Sequence, residues 1–314
     1  MKLLELSRLL DEKLNSCDIC PHMCKVNRSR GEKGLCSAGY KPVISAALPH
    51  HGEEPPISGS KGSGTIFFSY CNMKCVYCQN YQISQEREGR EYSIPELVRT
   101  MLYLENSGCH NINLVSPTIW TPFIIKALYH ARLKGLSIPM VFNTGGYDNP
   151  EIIKMLDGAI DIYMPDMRYS DDEKARKYSH VREYTHYNQQ SVKEMYRQVG
   201  NLKLDKDGIA RKGLLIRILV MPENIGGVKK TLDFIKRELS TNVYLSIMAQ
   251  YQPTYKAAGY PELNRTITAK EYLEIVKYAE RKGFSYGYTQ DYISFDKEED
   301  LFMPDFKKKE IFRF

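Results

Sequence analysis

The sequence lacks any apolar run near the roughly 20 residues that a membrane-spanning helix needs. No internal repeat or low-complexity segment interrupts it, so solenoid and disordered architectures are set aside. The N-terminal stretch Met1-Lys-Leu-Leu-Glu-Leu-Ser-Arg8 is mixed in charge and has no signal-peptide core, so a cytoplasmic protein is expected. Charge of one sign is scarce as well. The net charge of +6 is spread along the chain, and only Lys307-Lys308-Lys309 forms a run, which reads as a solvated tail. That dispersal gives no electrostatic case for a nucleic-acid partner.

What is present is an ordinary globular composition, 42% hydrophobic and 26% charged over 314 residues, enough for one large domain and a small appendage. The informative residues are the eight cysteines. Seven fall into two tight clusters, spaced as metal sites in a reducing compartment and not as a disulfide framework. Cys109 stands alone after Gly108 and reads as a small buried thiol.

Cys71, Cys75 and Cys78 lie in Ser69-Tyr-Cys-Asn-Met-Lys-Cys-Val-Tyr-Cys-Gln-Asn80, a C-x3-C-x2-C spacing with Tyr77 before the last cysteine. Three thiolates can hold three irons of a 4Fe–4S cube and leave the fourth open to a substrate. The run follows a strand-like stretch, Thr65-Ile-Phe-Phe-Ser69, which places the loop at a strand's C-terminal end, where barrel enzymes do their chemistry. A zinc knuckle is the structural alternative, but it needs a fourth ligand, and none occurs between Phe67 and Ser107.

The second cluster is Cys17-Asp-Ile-Cys20-Pro-His-Met-Cys24, followed by Gly31, Gly34 and Cys36. Four cysteines close either a tetrahedral zinc site or a 4Fe–4S cube, and neither would have an open position. Its role is therefore structural or electron-relaying. With four cysteines available, His22 is expected at the surface.

Residues 1–58 read as a small N-terminal cysteine-rich module, 59–290 as the main domain and 291–314 as a C-terminal extension. A short helix is expected near 3–13. In the main domain, strands near 65–69, 112–116, 139–144, 160–165, 214–221 and 243–250 alternate with helices near 94–107, 121–134, 150–157, 172–199 (two), 227–239 and 268–282. Ser93 with Pro95, and Thr268 with Glu271, are helix-start signals. Six strand–helix units make an α/β fold, a partial (β/α)6 barrel around a parallel sheet.

The triad resembles the signature of the radical S-adenosylmethionine (SAM) superfamily. Over nearly the whole chain the sequence resembles one branch, proteins similar to pyruvate formate-lyase activating enzymes of the PflX type. The carriers are the 17–36 cysteine module, Gly52-Glu-Glu-Pro-Pro-Ile-Ser-Gly59, Gly62-Ser-Gly-Thr-Ile-Phe-Phe68, Asn111-Ile-Asn-Leu-Val-Ser-Pro-Thr118, Asn143-Thr-Gly-Gly-Tyr147, Asp161-Ile-Tyr-Met-Pro-Asp166 and Tyr260-Pro-Glu-Leu-Asn-Arg265.

The resemblance implies that the open iron chelates the SAM amine and carboxylate, that reductive cleavage gives methionine and a 5′-deoxyadenosyl radical, and that Tyr77 lies near the adenine. Activating enzymes contact the SAM amine through a Gly-Gly-Glu motif. Here that stretch is Ser116-Pro117-Thr118, without the acid, which leaves main-chain carbonyls or the Thr118 hydroxyl. Asn143 and Thr144 match residues near the ribose, with helix capping as their plain alternative. Met164-x-Asp166 resembles a motif that ligates a monovalent cation beside SAM, and Asp166 could instead pair with Arg168. Arg217 is a cation in an apolar strand, costly unless paired or facing a cavity. The family places an Arg-His pair there near SAM, but Ile218 replaces the His; pairing of Arg217 with Asp166 is the alternative. Gln250 and Tyr251 end the last strand at the same mouth. Glu53 and Glu54 either position the N-terminal module, line the pocket or form a solvated turn.

The implied activity is hydrogen-atom abstraction from a substrate, with a flavodoxin or ferredoxin-type reductant as partner and a protein glycine, as in glycyl-radical enzymes, as the family's substrate. The extra cysteines precede the triad here, whereas in activases they follow it, so another macromolecule or a small molecule is the rival substrate. Outside the enzyme class, the rival is a non-catalytic iron–sulfur electron carrier.

Overall fold

A computed structural model describes residues 2–290 and 304–308. Eight strands lie in sequence order across one sheet: β1 (Val43–His50), β2 (Ser63–Phe68), β3 (Ile112–Val115), β4 (Met140–Thr144), β5 (Ile162–Pro165), β6 (Ala210–Leu219), β7 (Tyr244–Met248) and β8 (Gly287–Thr289). β2 to β8 run parallel, and β1 pairs antiparallel with β2. Two-residue strands at Arg90–Glu91 and Lys203–Leu204 add to β1 and β6. Phe67, Val115, Asn143, Arg217, Ser246 and Thr289, all from different parallel strands, line one cavity, so the sheet curls into a partial barrel.

The strands inside the sheet place successive side chains on opposite faces, with period two. Ile66, Phe68, Ile112, Leu114, Met140, Phe142, Tyr163, Leu214, Ile216, Ile218, Leu245 and Ile247 pack outward into the helix layer, which forms the main core. Each such fully buried side chain contributes about 1.5–3 kcal/mol. The inner face is divided. Val141, Ile162, Met164 and Leu215 close the N-terminal end around Ile57, whereas Asn143, Arg217 and Ser246 stand further along their strands and are polar.

The six expected strands and the main helices are present: Ile94–Asn106, Thr121–Leu133, Pro150–Met155, Asp172–Ser179, Tyr184–Val199, Val228–Glu238 and Ala269–Arg281. Capping boxes at Ser93/Glu96 and Thr268/Glu271 start the first and last of these. Two strands had no clear sequence signal. β1 contains Pro49 and has mostly half-exposed residues, and β8 is three exposed residues long.

The segment expected as an N-terminal module, 1–58, thus contains a strand of the sheet. Its helix Leu3–Glu12 buries Leu6 and Leu10 and ties Asp11 to Lys126 of the Thr121–Leu133 helix at 3.0 Å. Arg28, 1% exposed, donates to Gly39 O and Ile119 O and lies 5.2 Å from the Trp120 ring. Of the extension expected over 291–314, only 304–308 falls within the described residues. There Phe306 packs edge-on to Phe67, and its backbone N–H donates to Gln82. No helix among the described residues is long and apolar enough to cross a membrane.

Candidate active site

The loop after β2 begins with Tyr70 at φ +66°, a left-handed conformation that favours glycine. The aromatic ring is held there between Arg87, 5.4 Å away, and Trp120, 6.0 Å away. The three cysteines that follow are all partly or fully buried.

Every one of the three sulfurs meets a donor. Met73 N–H donates to Cys71 Sγ at 3.4 Å, Ser179 Oγ to Cys75 Sγ at 3.0 Å, and Ser84 Oγ lies 3.2 Å from Cys78 Sγ. Arg168 reaches Cys75 Sγ at 3.8 Å. Burial pushes the Cys71 thiol up to about 12 and the Cys78 thiol up to about 11. Metal ligation deprotonates such thiols, and hydrogen bonds to the sulfurs orient the ligands and tune an iron–sulfur cluster. The residues present therefore fit a three-cysteine cluster site. Tyr77 is buried, its hydroxyl 2.6 Å from that of Tyr169, which bonds Ser179 at 2.7 Å. One hydrogen-bond chain thus runs from Tyr77 to Cys75.

Tyr77 and Cys78 open onto a cavity of about 520 Å³. Asn143, Asp166, Arg217 and Gln250 line it too, as does Tyr251, whose ring lies 5.8 Å from that of Tyr77. Arg217 Nε donates to Asp166 at 2.9 Å and its NH2 to Asn143 Oδ1 at 2.7 Å, while Arg168 holds the other Asp166 oxygen at 2.5 Å. Both plain alternatives for Asp166 and Arg217 therefore exist, within the cavity wall. Gln250 Oε1 accepts from Gln290 at 2.9 Å.

Ser116, Thr118 and Thr144 sit beside this cavity and do not line it. Ser116 takes φ +59°, and the Thr118 and Thr144 hydroxyls donate to the two oxygens of buried Asp148 at 2.6 and 2.8 Å. Asp148 carried no sequence signal; it precedes Asn149-Pro150 and looks like a helix approach. Asn149 itself caps that helix, so Asn143 and Thr144 do not. Burial pushes the Asp148 carboxyl up to about 6 despite the two threonines.

Two expectations need correction. His22 is half-buried: its Nε2 lies 2.7 Å from Asn72 O, next to Cys71, and its ring packs against Tyr147. Glu53 and Glu54 do not form a solvated turn. Their side chains are more than nine-tenths buried and line the cavity.

Around the second cysteine set, burial and the neighbouring Cys36, Cys17 and Cys24 push the Cys20 thiol well up. Leu35 N–H donates to Cys24 Sγ at 3.4 Å, and a Cβ on Gly34 would lie 2.8 Å from that sulfur, so glycine alone admits this approach. Among the described residues no three His, Cys, Asp or Glu side chains close on a single metal ion, whereas a 4Fe–4S cube asks for one thiolate on each iron it ligates.

The sequence model described as the Radical SAM superfamily matches residues 65–235, more than half of the chain. The chain belongs to the radical SAM superfamily. Membership implies a 4Fe–4S cluster and SAM and supports a SAM-cleaving radical enzyme. Two relatives come from Methanocaldococcus jannaschii. "Uncharacterized protein MJ0674" is 32% identical over 273 residues, covering 85% of this chain and 75% of that protein. "Uncharacterized protein MJ0808" is 24% identical over 297 residues, covering 85% and 81%. Among solved structures, the FeFe-hydrogenase maturase HydG from Carboxydothermus hydrogenoformans is similar at 12% identity and TM-score 0.48, covering 71% of this chain and 52% of that one. Methylornithine synthase (PylB) is similar at 13% identity and TM-score 0.47, covering 68% and 60%. This radical SAM chain thus spans about half to three fifths of those two structures.

Proposed function

We propose that Cys71, Cys75 and Cys78 ligate the cluster that binds SAM, and that the protein abstracts a hydrogen atom from a substrate held in the adjoining cavity. The observation that carries this reading is the opening of the Tyr77–Cys78 turn onto that cavity, among Asn143, Asp166, Arg217 and Gln250. When bound, the cluster supplies the electron that cleaves SAM to methionine and a 5′-deoxyadenosyl radical. The chain's own residues do the rest. Tyr77 would lie near the adenine, Asn143 and Arg217 would hold the ribose or carboxylate, and the buried wall would keep water from the reacting atoms. Thr118 and Thr144, held by Asp148, set the loops that flank SAM, and a monovalent cation on Asp166 rests on the resemblance alone, because Arg217 and Arg168 hold its two oxygens.

Cys17, Cys20, Cys24 and Cys36 hold a second metal group, 4Fe–4S or zinc. A flavodoxin or ferredoxin-type protein is the reductant. The activating-enzyme subtype and a glycine of a glycyl-radical enzyme as hydrogen donor rest on the resemblance alone.

The test is anaerobic reconstitution with iron and sulfide, addition of SAM and dithionite, and chromatography of 5′-deoxyadenosine. Wild type should form it, and the Cys71→Ala/Cys75→Ala/Cys78→Ala variant should not. An intact cluster with neither SAM binding nor product would sink the enzyme reading in favour of an electron carrier.

A further inference from the structure

The segment Gly52–Ser58 passes beneath the barrel and turns two carboxylates up into it. Asn111 Nδ2 donates to Ile57 O at 2.7 Å, Ile57 plugs the apolar end, and Ser58 Oγ accepts from Glu53 N–H at 3.0 Å. Glu53 and Glu54 thereby form the far end of the cavity that Tyr77 and Cys78 cap. Burial pushes both carboxyls up, with Arg217 acting against it.

Arg217 offsets them only in part. Asp166 at 2.9 Å and Asn143 at 2.7 Å take its Nε and one terminal nitrogen. Glu53 and Glu54 stand off at 3.6 and 4.0 Å, outside hydrogen-bond distance. Glu53 takes one good hydrogen bond, from Asn113 at 2.9 Å. Glu54 has the Ser246 hydroxyl and its own backbone N–H beside it, but its Oε2, like Asn113 Oδ1, is a buried acceptor with no hydrogen-bond donor. An interior optimised for stability alone would replace such under-paired acids with apolar side chains. The cavity wall carries Glu53, Glu54 and Asp166 against Arg168 and Arg217, one carboxylate in excess. Burial pushes His50 down to about 4 and keeps it neutral, and His51 is exposed at the rim.

We propose that Glu53 and Glu54 are a recognition subsite for a protonated nitrogen, so that the substrate is a small molecule ending in an alkylammonium group. This inference rests on the proposed function and names its substrate class. The missing donors at Glu54 and Asn113 are what an ammonium supplies, and its single positive charge matches the excess carboxylate. A ligand anchored there runs toward Tyr77 and Cys78, where its carbon atoms meet the site of radical formation. A backbone glycine has no such charge to offer.

The test uses the reconstituted, SAM-bound protein and its thermal midpoint in salt-matched n-butylamine, n-butanol, sodium butyrate and N-acetylglycinamide. Butylamine should raise the midpoint by about 2 °C at ten times its dissociation constant, and the other three should leave it in place. Glu54→Gln should melt no lower than wild type without amine and should lose the response, while Glu54→Asp should retain part of it. A Glu54→Gln protein that melts lower or fails to fold would make the acid structural. A shift with butanol or N-acetylglycinamide equal to that with butylamine would also overturn the inference. Deoxyadenosine formation is scored separately. Product without an amine response defeats the subsite alone, and an amine response without product defeats the radical reading alone.

Discussion

Replacing Arg217 with methionine removes the cation around which the cavity's acids are arranged. The side chain is 17% exposed, hydrogen-bonds Asp166 and Asn143, and faces Glu53 and Glu54 at the longer ion-pair distances of 3.6 and 4.0 Å. Breaking a buried ion pair by deleting one partner costs about 3–5 kcal/mol, because the remaining charge is left uncompensated. At about 2.1 cal/mol/K of unfolding entropy per residue, a chain of 314 residues converts that loss into a midpoint lower by about 5–8 °C. Arg217→Lys keeps the charge but cannot hold Asp166 and Asn143 with one planar group, and should lose about 2–5 °C. The sign with pH follows from Glu53 and Glu54, whose carboxyls burial already raises. Without Arg217 they rise further, so the folded state binds protons more tightly than the unfolded chain. Stability then falls as pH climbs above the ordinary glutamate value, and the deficit should be larger near about pH 8 than near about pH 5. Thermal melts followed by Trp120 fluorescence measure this. A variant that melts within about 1 °C of wild type, or a deficit indifferent to pH, would refute the reasoning.

Asp148→Asn should flatten the stability profile. The native carboxyl, raised by burial to about 6, weakens the fold as pH rises from about 4 to 6, by an amount on the order of 3 kcal/mol, and melts across that window should show the slope disappear. Arg28→Met removes donors to Gly39 O and Ile119 O and the contact with Trp120. It should cost about 1–3 kcal/mol for each acceptor left without a donor and expose the segment before β1 to limited proteolysis ahead of the barrel. For the second cysteine set, metal analysis of the reconstituted protein should find about eight irons per chain, falling to about four in a Cys17→Ala/Cys20→Ala variant. Zinc in wild type would reject the second iron–sulfur cluster.

By itself the sequence determined the parts that obey local rules. Period-two strands between helices, the Ser93 and Thr268 caps, and the C-x3-C-x2-C run after Thr65–Ser69 each need only a few neighbouring residues, so they are legible in one dimension. The turn at Tyr70 does not belong here: a tyrosine gives no local sign of it, and only the backbone at φ +66° shows it. The tertiary structure decided where the charges go. Glu53, Asn113, Asn143, Asp166, Arg217 and Ser246 come from separate elements and meet only when the sheet curls. An acid pair flanked by Gly52 and two prolines looks the same in a solvated turn as in a barrel floor. Asp148 gave no sign for the same reason, since its partners Thr118 and Thr144 sit on two different strand ends. β1 stayed hidden because its pairing with β2 spans the intervening Gly52–Ser58 segment, and its alternation is blurred by partial exposure. Local periodicity fixes which residues form an element, whereas the cost of burying a charge is settled only by what the fold brings within a few ångströms of it.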